Sequence, residues 1–218
     1  VPLAKLAARI MAGESIESFN LPDDERRQSH FCVKEAVMPF GRFPGADVVL
    51  GPEMKSTGEV MGIANNFPAA YAKTQAAVDM ELPKSGTCFL SVCDRDKRAI
   101  LPLARDLARM GFTLVCTSGT ARALESANIP CQEIGRVSDP EPNISTLINE
   151  GKIDLMINTP FGQETRSDGY VLRTMAVRQN LCYVTTLAGA QAFVSAIDNL
   201  RDDNLPIIAL QDLDQWEE

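Results

Sequence analysis

From residue 87 onward the chain alternates short apolar runs with stretches whose apolar residues recur every three or four positions. The runs are Cys88–Cys93, Thr113–Cys116, Cys131–Ile134, Ile153–Ile157 and Leu181–Val184. Each is short and strand-length. Between the first two runs, Ile100, Leu103, Ala104, Leu107 and Ala108 fall on one helical face, and Gly111 ends it. The last stretch places Ala190, Phe193, Val194 and Ile197 at offsets 0, 3, 4 and 7. Helices are also predicted at Thr120–Ala127, Ile144–Glu150 and Val171–Gln179. Strands that alternate with helices predict a parallel sheet covered on both faces, a complete small α/β domain of five β/α units.

The N-terminal third is irregular. Leu3, Leu6, Ala7, Ile10 and Met11 form one face of an amphipathic helix that Gly13 would stop. Residues 23–27 read as a charged surface loop, His30–Val37 as a strand, Pro39–Pro52 as a loop, and Pro68–Val78 as a second helix. Leu82–Gly86 (LPKSG) reads as a linker. So few long apolar elements do not close a core, and this third is expected to pack against something else.

Composition narrows the function. The chain has 218 residues, 45% apolar and 23% charged, with a formal charge of −8. That balance argues against nucleic-acid binding. No apolar run approaches the ~18 residues of a membrane span. Much of the acidity belongs to the end of the chain, where Arg201 stands alone against seven carboxylates between Asp198 and Glu218. The six cysteines contain no CxxC pair, and four lie in strand-like surroundings, so reduced thiols and a cytosolic location are expected, or the plastid stroma in a plant or alga. The single histidine, His30, lies in a polar segment and reads as solvated, which removes Ser-His-Asp triads and multi-histidine metal sites.

Open parallel α/β sheets bind ligands beyond the carboxyl ends of their strands, near a topological switch point. The residues there are Asp94–Arg98 after the first run, Thr117-Ser118-Gly119-Thr120 after the second, Asn158-Thr159-Pro160 after the fourth and Thr185-Thr186 after the fifth. A helix N-terminus rich in hydroxyls, with Lys97 nearby, suits a phosphate-sized anion. Thr117–Thr120 could equally be N-cap chemistry alone. No dinucleotide or Walker A motif is present. Cys93 and Cys116 lack a nearby histidine and read as buried core thiols. This domain has the look of a binder rather than a catalyst.

These residues also carry a family resemblance. GPEMKSTGEVMG (51–62), with VPLAKLAARIMAG (1–13) and FCVKEAVMPFGRFPGAD (31–47), resembles the end of the second ATP-grasp half of the carbamoyl-phosphate synthase large subunit. Residues 87–197 resemble the methylglyoxal-synthase-like regulatory domain that follows it, in DRDKRAILPLARDL, GFTLVCTSGTARAL, INEGKIDLMINTP and CYVTTLAGAQAF. The resemblance implies an ATP-grasp remnant at residues 1–82 and a three-layer α/β/α domain with a parallel five-stranded sheet at residues 83–200. An acidic tail at residues 201–218 would complete the chain. The intact subunit of such enzymes makes carbamoyl phosphate from bicarbonate and ammonia for arginine and pyrimidine synthesis. It uses ATP with Mg²⁺ or Mn²⁺ and works with a glutaminase small subunit. The carboxylates that bind ATP and metal lie upstream of the segment matched here, so no catalytic residue carries over and this chain alone is expected not to turn over.

The resemblance also implies effectors. Lys97, Thr117, Ser118, Thr120, Arg136, Asn158 and Thr159 fall at or beside positions that hold a nucleoside monophosphate, UMP or IMP. Arg136 stands where a lysine is common, and Pro160 stands where a second threonine is expected. Glu35, Tyr183 and Thr185 match an ornithine site, although Glu35 alone would read as part of a surface ion pair. Two alternatives are a free-standing nucleotide-sensing module and a methylglyoxal synthase. The GPEMKSTGE segment argues against the first. The absence of any histidine from residues 87–197 argues against the second.

Overall fold

A computed structural model describes residues 2–21, 30–37, 58–159, 163–202, 205, 207–209 and 211–212. The predicted loops at 23–27 and Pro39–Pro52, residues 51–57 of the GPEMKST segment and residues 213–218 of the acidic tail lie outside them. Of the side chains at 163–167, only the helical backbone is described.

Five parallel strands form the main sheet: β3 (Gly86–Val92), β4 (Phe112–Cys116), β5 (Gln132–Glu133), β6 (Leu155–Thr159) and β7 (Cys182–Val184). Two further strands, β1 (Phe31–Val37) and β2 (Gly58–Ala64), pair antiparallel as a separate ribbon. The helices are α1 (Leu3–Met11), α2 (Phe67–Ala77), α3 (Lys97–Arg109), α4 (Ser118–Ser126), α5 (Ile144–Asn149), α6 (Gln163–Arg178) and α7 (Leu187–Asp202). The main sheet runs β5-β4-β3-β6-β7. The chain starts in the middle, winds outward to β5, then crosses β3 to build the other side. The switch point therefore lies between β3 and β6.

Period-two alternation splits the sheet into two apolar layers. Cys88, Leu90, Leu114, Cys116, Leu155 and Ile157 face one cluster with α2, α3, α4 and α7. Phe89, Val115 and Met156 face the other, with Ile144 and Ile148 of α5 and Leu172 and Ala176 of α6. Phe89, Leu90, Leu155, Met156 and Ile157 are all 0% exposed, as the unbroken apolar runs require. The predicted five-stranded α/β domain is thus observed, with strand ends within two residues of expectation.

Three elements differ from expectation. Helix α6 begins eight residues before Val171, because its first two turns carry no apolar stripe that periodicity could detect. The strand β2 was not predicted, since two glycines interrupt its alternation. One of them, Gly62, lies where a Cβ would run into the Ala70 carbonyl of α2. Leu82, read as part of a linker, is 6% exposed and belongs to the main core.

The N-terminal elements divide into two groups. The β1–β2 ribbon covers α2, and α2 lies on α7, where the Tyr71 and Phe193 rings meet edge to face at 5.8 Å. Asn66 caps α2 by accepting from the Ala69 N–H at 2.8 Å. By contrast, α1 forms as its periodicity predicts but has no buried residue, with Leu3 70% and Met11 83% exposed. His30, expected to be solvated, is partly buried ahead of β1, and its Nδ1 has no partner among the described residues. None of the described helices is long and apolar enough to cross a membrane.

Candidate functional site

A cavity of about 520 Å³ opens at the carboxyl ends of β3, β4 and β6. Alternation fixes its floor. Ser91, Thr117 and Asn158 each lie two residues beyond a core residue of one face, namely Phe89, Val115 and Met156. Three apolar positions on adjacent strands are thereby followed by three polar ones. Ser91 and Asn158 are register partners across β3 and β6. The Thr117 hydroxyl donates to Ser91 Oγ at 3.2 Å. Asn158 is 6% exposed, and its Oδ1 is buried without a partner among the described residues. A buried acceptor left unpaired costs roughly 1–3 kcal/mol, and a donor on a ligand would remove that cost.

The second wall is the start of α4. Its N-cap, Thr117, is extended and makes no side-chain cap, because its hydroxyl is turned to Ser91. Asn143 caps α5 in the ordinary way, accepting from Ser145 N at 2.9 Å. N-cap chemistry is therefore not what Thr117 does, and the first turn of α4 keeps backbone donors and a partial positive charge. Thr120 is 1% exposed and its hydroxyl accepts from the Val92 N–H at 3.1 Å, tying α4 to the end of β3.

Lys97 begins α3 and reaches over α4. Its Nζ lies 3.0 Å from the point where a Cβ on Gly119 would stand, and 2.7 Å from Asp94 Oδ1. The lysine side chain is 28% exposed, the aspartate 95%. The hydrogen bond and charge of Lys97 hold the Asp94 carboxyl below its ordinary value, with a smaller contribution from Arg122. Gly119→Ala should separate fold from function. Removing a helical glycine stabilises by roughly 0.5–1 kcal/mol. The added methyl would also push the ammonium from the helix end. The expected result is a higher unfolding midpoint with several-fold weaker phosphate affinity, measured by thermal melting and calorimetry on the same variant.

Thr159 stands on the opposite side of β6 from Asn158, and its Oγ1 accepts from the Cys93 N–H at 3.3 Å. Cys93, expected in the core, is instead partly exposed in the cavity wall, its thiol donating to Asp96 Oδ2 at 3.1 Å. It escapes burial because β3 ends at Val92 and a tight turn begins. Cys116 is a core thiol as expected, and burial pushes its pKa up. All six cysteines are free.

Of the anticipated nucleotide-site residues, Lys97, Thr117, Thr120, Arg136, Asn158 and Thr159 line the cavity together. Ser118 is not among the lining residues. Ser91 and Asp168 line it without having been singled out, and Cys93 lines it although it was read as a core thiol. Ser91 is legible as a strand-end hydroxyl. Asp168 lies on the part of α6 that periodicity misses, where it accepts from Ser138 Oγ at 3.4 Å. The lining carries Arg95, Lys97 and Arg136 against Asp94 and Asp168, a modest positive excess.

Glu35, Tyr183 and Thr185 lie apart from this lining. Glu35 on β1 accepts a hydrogen bond from Gln75 Nε2, so its partner is an amide of α2 rather than a surface cation. Burial raises its carboxyl pKa, against hydrogen bonds from Thr74 and Gln75 that lower it. Tyr71 neighbours both Glu35 and Cys182. Tyr183, next along β7, faces the opposite apolar cluster, and burial raises its pKa. Thr185 follows β7 and is partly exposed. Among the described residues there is no group of three or more His, Cys, Asp or Glu that could hold a metal.

Comparison with known proteins matches residues 99–185 to the MGS-like domain. The chain is 44% identical over 215 residues to the carbamoyl phosphate synthase large chain of Mesorhizobium japonicum, covering 97% of this chain and 18% of that one. It is 45% identical over 218 residues to the C-terminal section of the carbamoyl phosphate synthase large chain of Methanopyrus kandleri, covering 98% and 40%. The corresponding section from Methanocaldococcus jannaschii is 42% identical over 224 residues, covering 98% and 36%. A solved chain described as "Crystal structure of ForH" aligns with a TM-score of 0.40 at 18% identity, over 52% of this chain and 79% of that one, too distant to carry any inference. The chain spans about a fifth of its full-length relatives and two-fifths or less of the C-terminal sections. Over 97–98% of its length the chain is similar to the C-terminal part of carbamoyl phosphate synthase large chains, and its residues 99–185 match the MGS-like domain.

Proposed function

We propose that this chain is the regulatory end of the large subunit of a glutamine-dependent carbamoyl phosphate synthase, and that the cavity at the carboxyl ends of β3, β4 and β6 binds a nucleoside monophosphate effector, UMP or IMP, by its phosphate. The observation that supports this most is the meeting, in one cavity, of Lys97, the uncapped first turn of α4 and the unpaired Asn158 Oδ1. The cation and the helix end suit an anion. The unpaired acceptor suits a hydroxyl or N–H elsewhere on the same ligand.

In this reading ATP, Mg²⁺ or Mn²⁺ and the ligase chemistry belong to parts of the large chain upstream of the segment matched here, as does most of the surface for the glutaminase small subunit. Residues 1–82 are the end of an ATP-grasp half. Glu35, Thr185 and the backbone of Tyr183, whose ring turns to the other side of the sheet, are a second, ornithine-type site, in which a half-buried carboxylate would meet a cationic amino acid. Calorimetry with UMP, IMP and ornithine tests both sites. Heat is expected with at least one nucleotide, saturating at one equivalent. No heat with either nucleotide from the folded chain would overturn the effector reading.

A further inference from the structure

Asp94 is ion-paired with Lys97, and the phosphate reading gives it no part. It opens the tight turn Asp94–Asp96 between β3 and α3. Its Oδ1 is 2.7 Å from Lys97 Nζ, while its side chain is 95% exposed, so the pairing is held by charge rather than by packing. A second cation, Arg122 of α4, also favours its ionised form. The carboxylate thus engages the ammonium that stands over the first turn of α4, where an incoming phosphate would bind. An anion arriving there must take the ammonium from the carboxylate or share it, and in sharing it meets a like charge a few ångströms away.

Resting on the phosphate reading of this cavity, we propose that Asp94 is an internal competitor for the effector phosphate, so that it sets the affinity below what the cations and helix end alone would give. It acts through Lys97 and need not touch the ligand. The opposite role, a tether that aims Lys97 at the phosphate, has the opposite sign in experiment. Exposed pairs of this kind contribute little, so removing the competitor should tighten binding by roughly 1.4- to five-fold.

The test is calorimetry of inorganic phosphate, UMP and IMP on the 218-residue chain and four variants, with melting curves to confirm folding. Asp94→Asn should lower the dissociation constants roughly 1.4- to five-fold. Asp94→Glu, which keeps the charge, should leave them near the original values. Placed in a Lys97→Met background, Asp94→Asn should bring no gain, because the group competed for is gone. Unchanged or weaker binding by Asp94→Asn, with Lys97→Met still weakening it strongly, overturns the proposal and leaves the phosphate site standing. An original chain that binds none of the three overturns the phosphate reading and this proposal with it.

Discussion

Lys97→Met is expected to raise the dissociation constant for UMP or IMP by about 30-fold or more. Truncating one partner of a largely desolvated charge pair costs about 2–5 kcal/mol, and 1.4 kcal/mol is a factor of ten. The lysine side chain is 28% exposed and stands over a helix end, where a bound phosphate would cover what remains of it. Methionine keeps the length of the stem and loses only the charge and its donors. Lys97→Arg is expected to fall in between, since a planar fork does not reproduce a compact ammonium beside Gly119. Calorimetry at fixed ionic strength reads both variants. An unchanged constant for Lys97→Met would place the phosphate somewhere other than the start of α4.

The largest effect on stability is expected from Phe89→Ala, at about 3–5 kcal/mol. Phe89 is 0% exposed on the central strand, packed against Val115, Met156, Ile144 and Leu172. It also forms part of the cavity wall. With total stabilities of about 5–15 kcal/mol, such a loss removes a large fraction of the folding free energy. Leu3→Ala, on a helix with no buried residue, should stay within about 0.5 kcal/mol. Urea unfolding of both compares them directly. A cost below about 1 kcal/mol for Phe89→Ala would mean that the two-layer packing is not what holds the sheet.

Where the sequence proved readable, a single physical constraint ruled. The runs at Cys88–Cys93 and Ile153–Ile157 must be buried on both faces, and little besides an inner parallel strand satisfies that. The strand-end rule then located Lys97, Thr117, Asn158 and Thr159 without knowledge of any contact. It could not locate Asp168, because a polar helical turn has no periodic signature. It misjudged Cys93, because burial of a strand's last residue depends on where the strand stops. Nor could it separate capping from ligand binding at Thr117, since the same hydroxyl serves either purpose and only its direction, toward Ser91, distinguishes them.

The docking of α2 on α7 bears on how small a piece of this chain can stand alone. A cut at residue 82 or 83 looks natural in the sequence, because the irregular third ends there. Such a cut would strip Tyr71 from Phe193, remove Ala72 and Leu82 from the main core, and leave the outer side of a sixteen-residue helix bare. The shortest autonomous version of the five-stranded α/β domain therefore begins ahead of Asn66, the cap of α2, and takes with it a helix that lies outside the sheet's own β/α repeat.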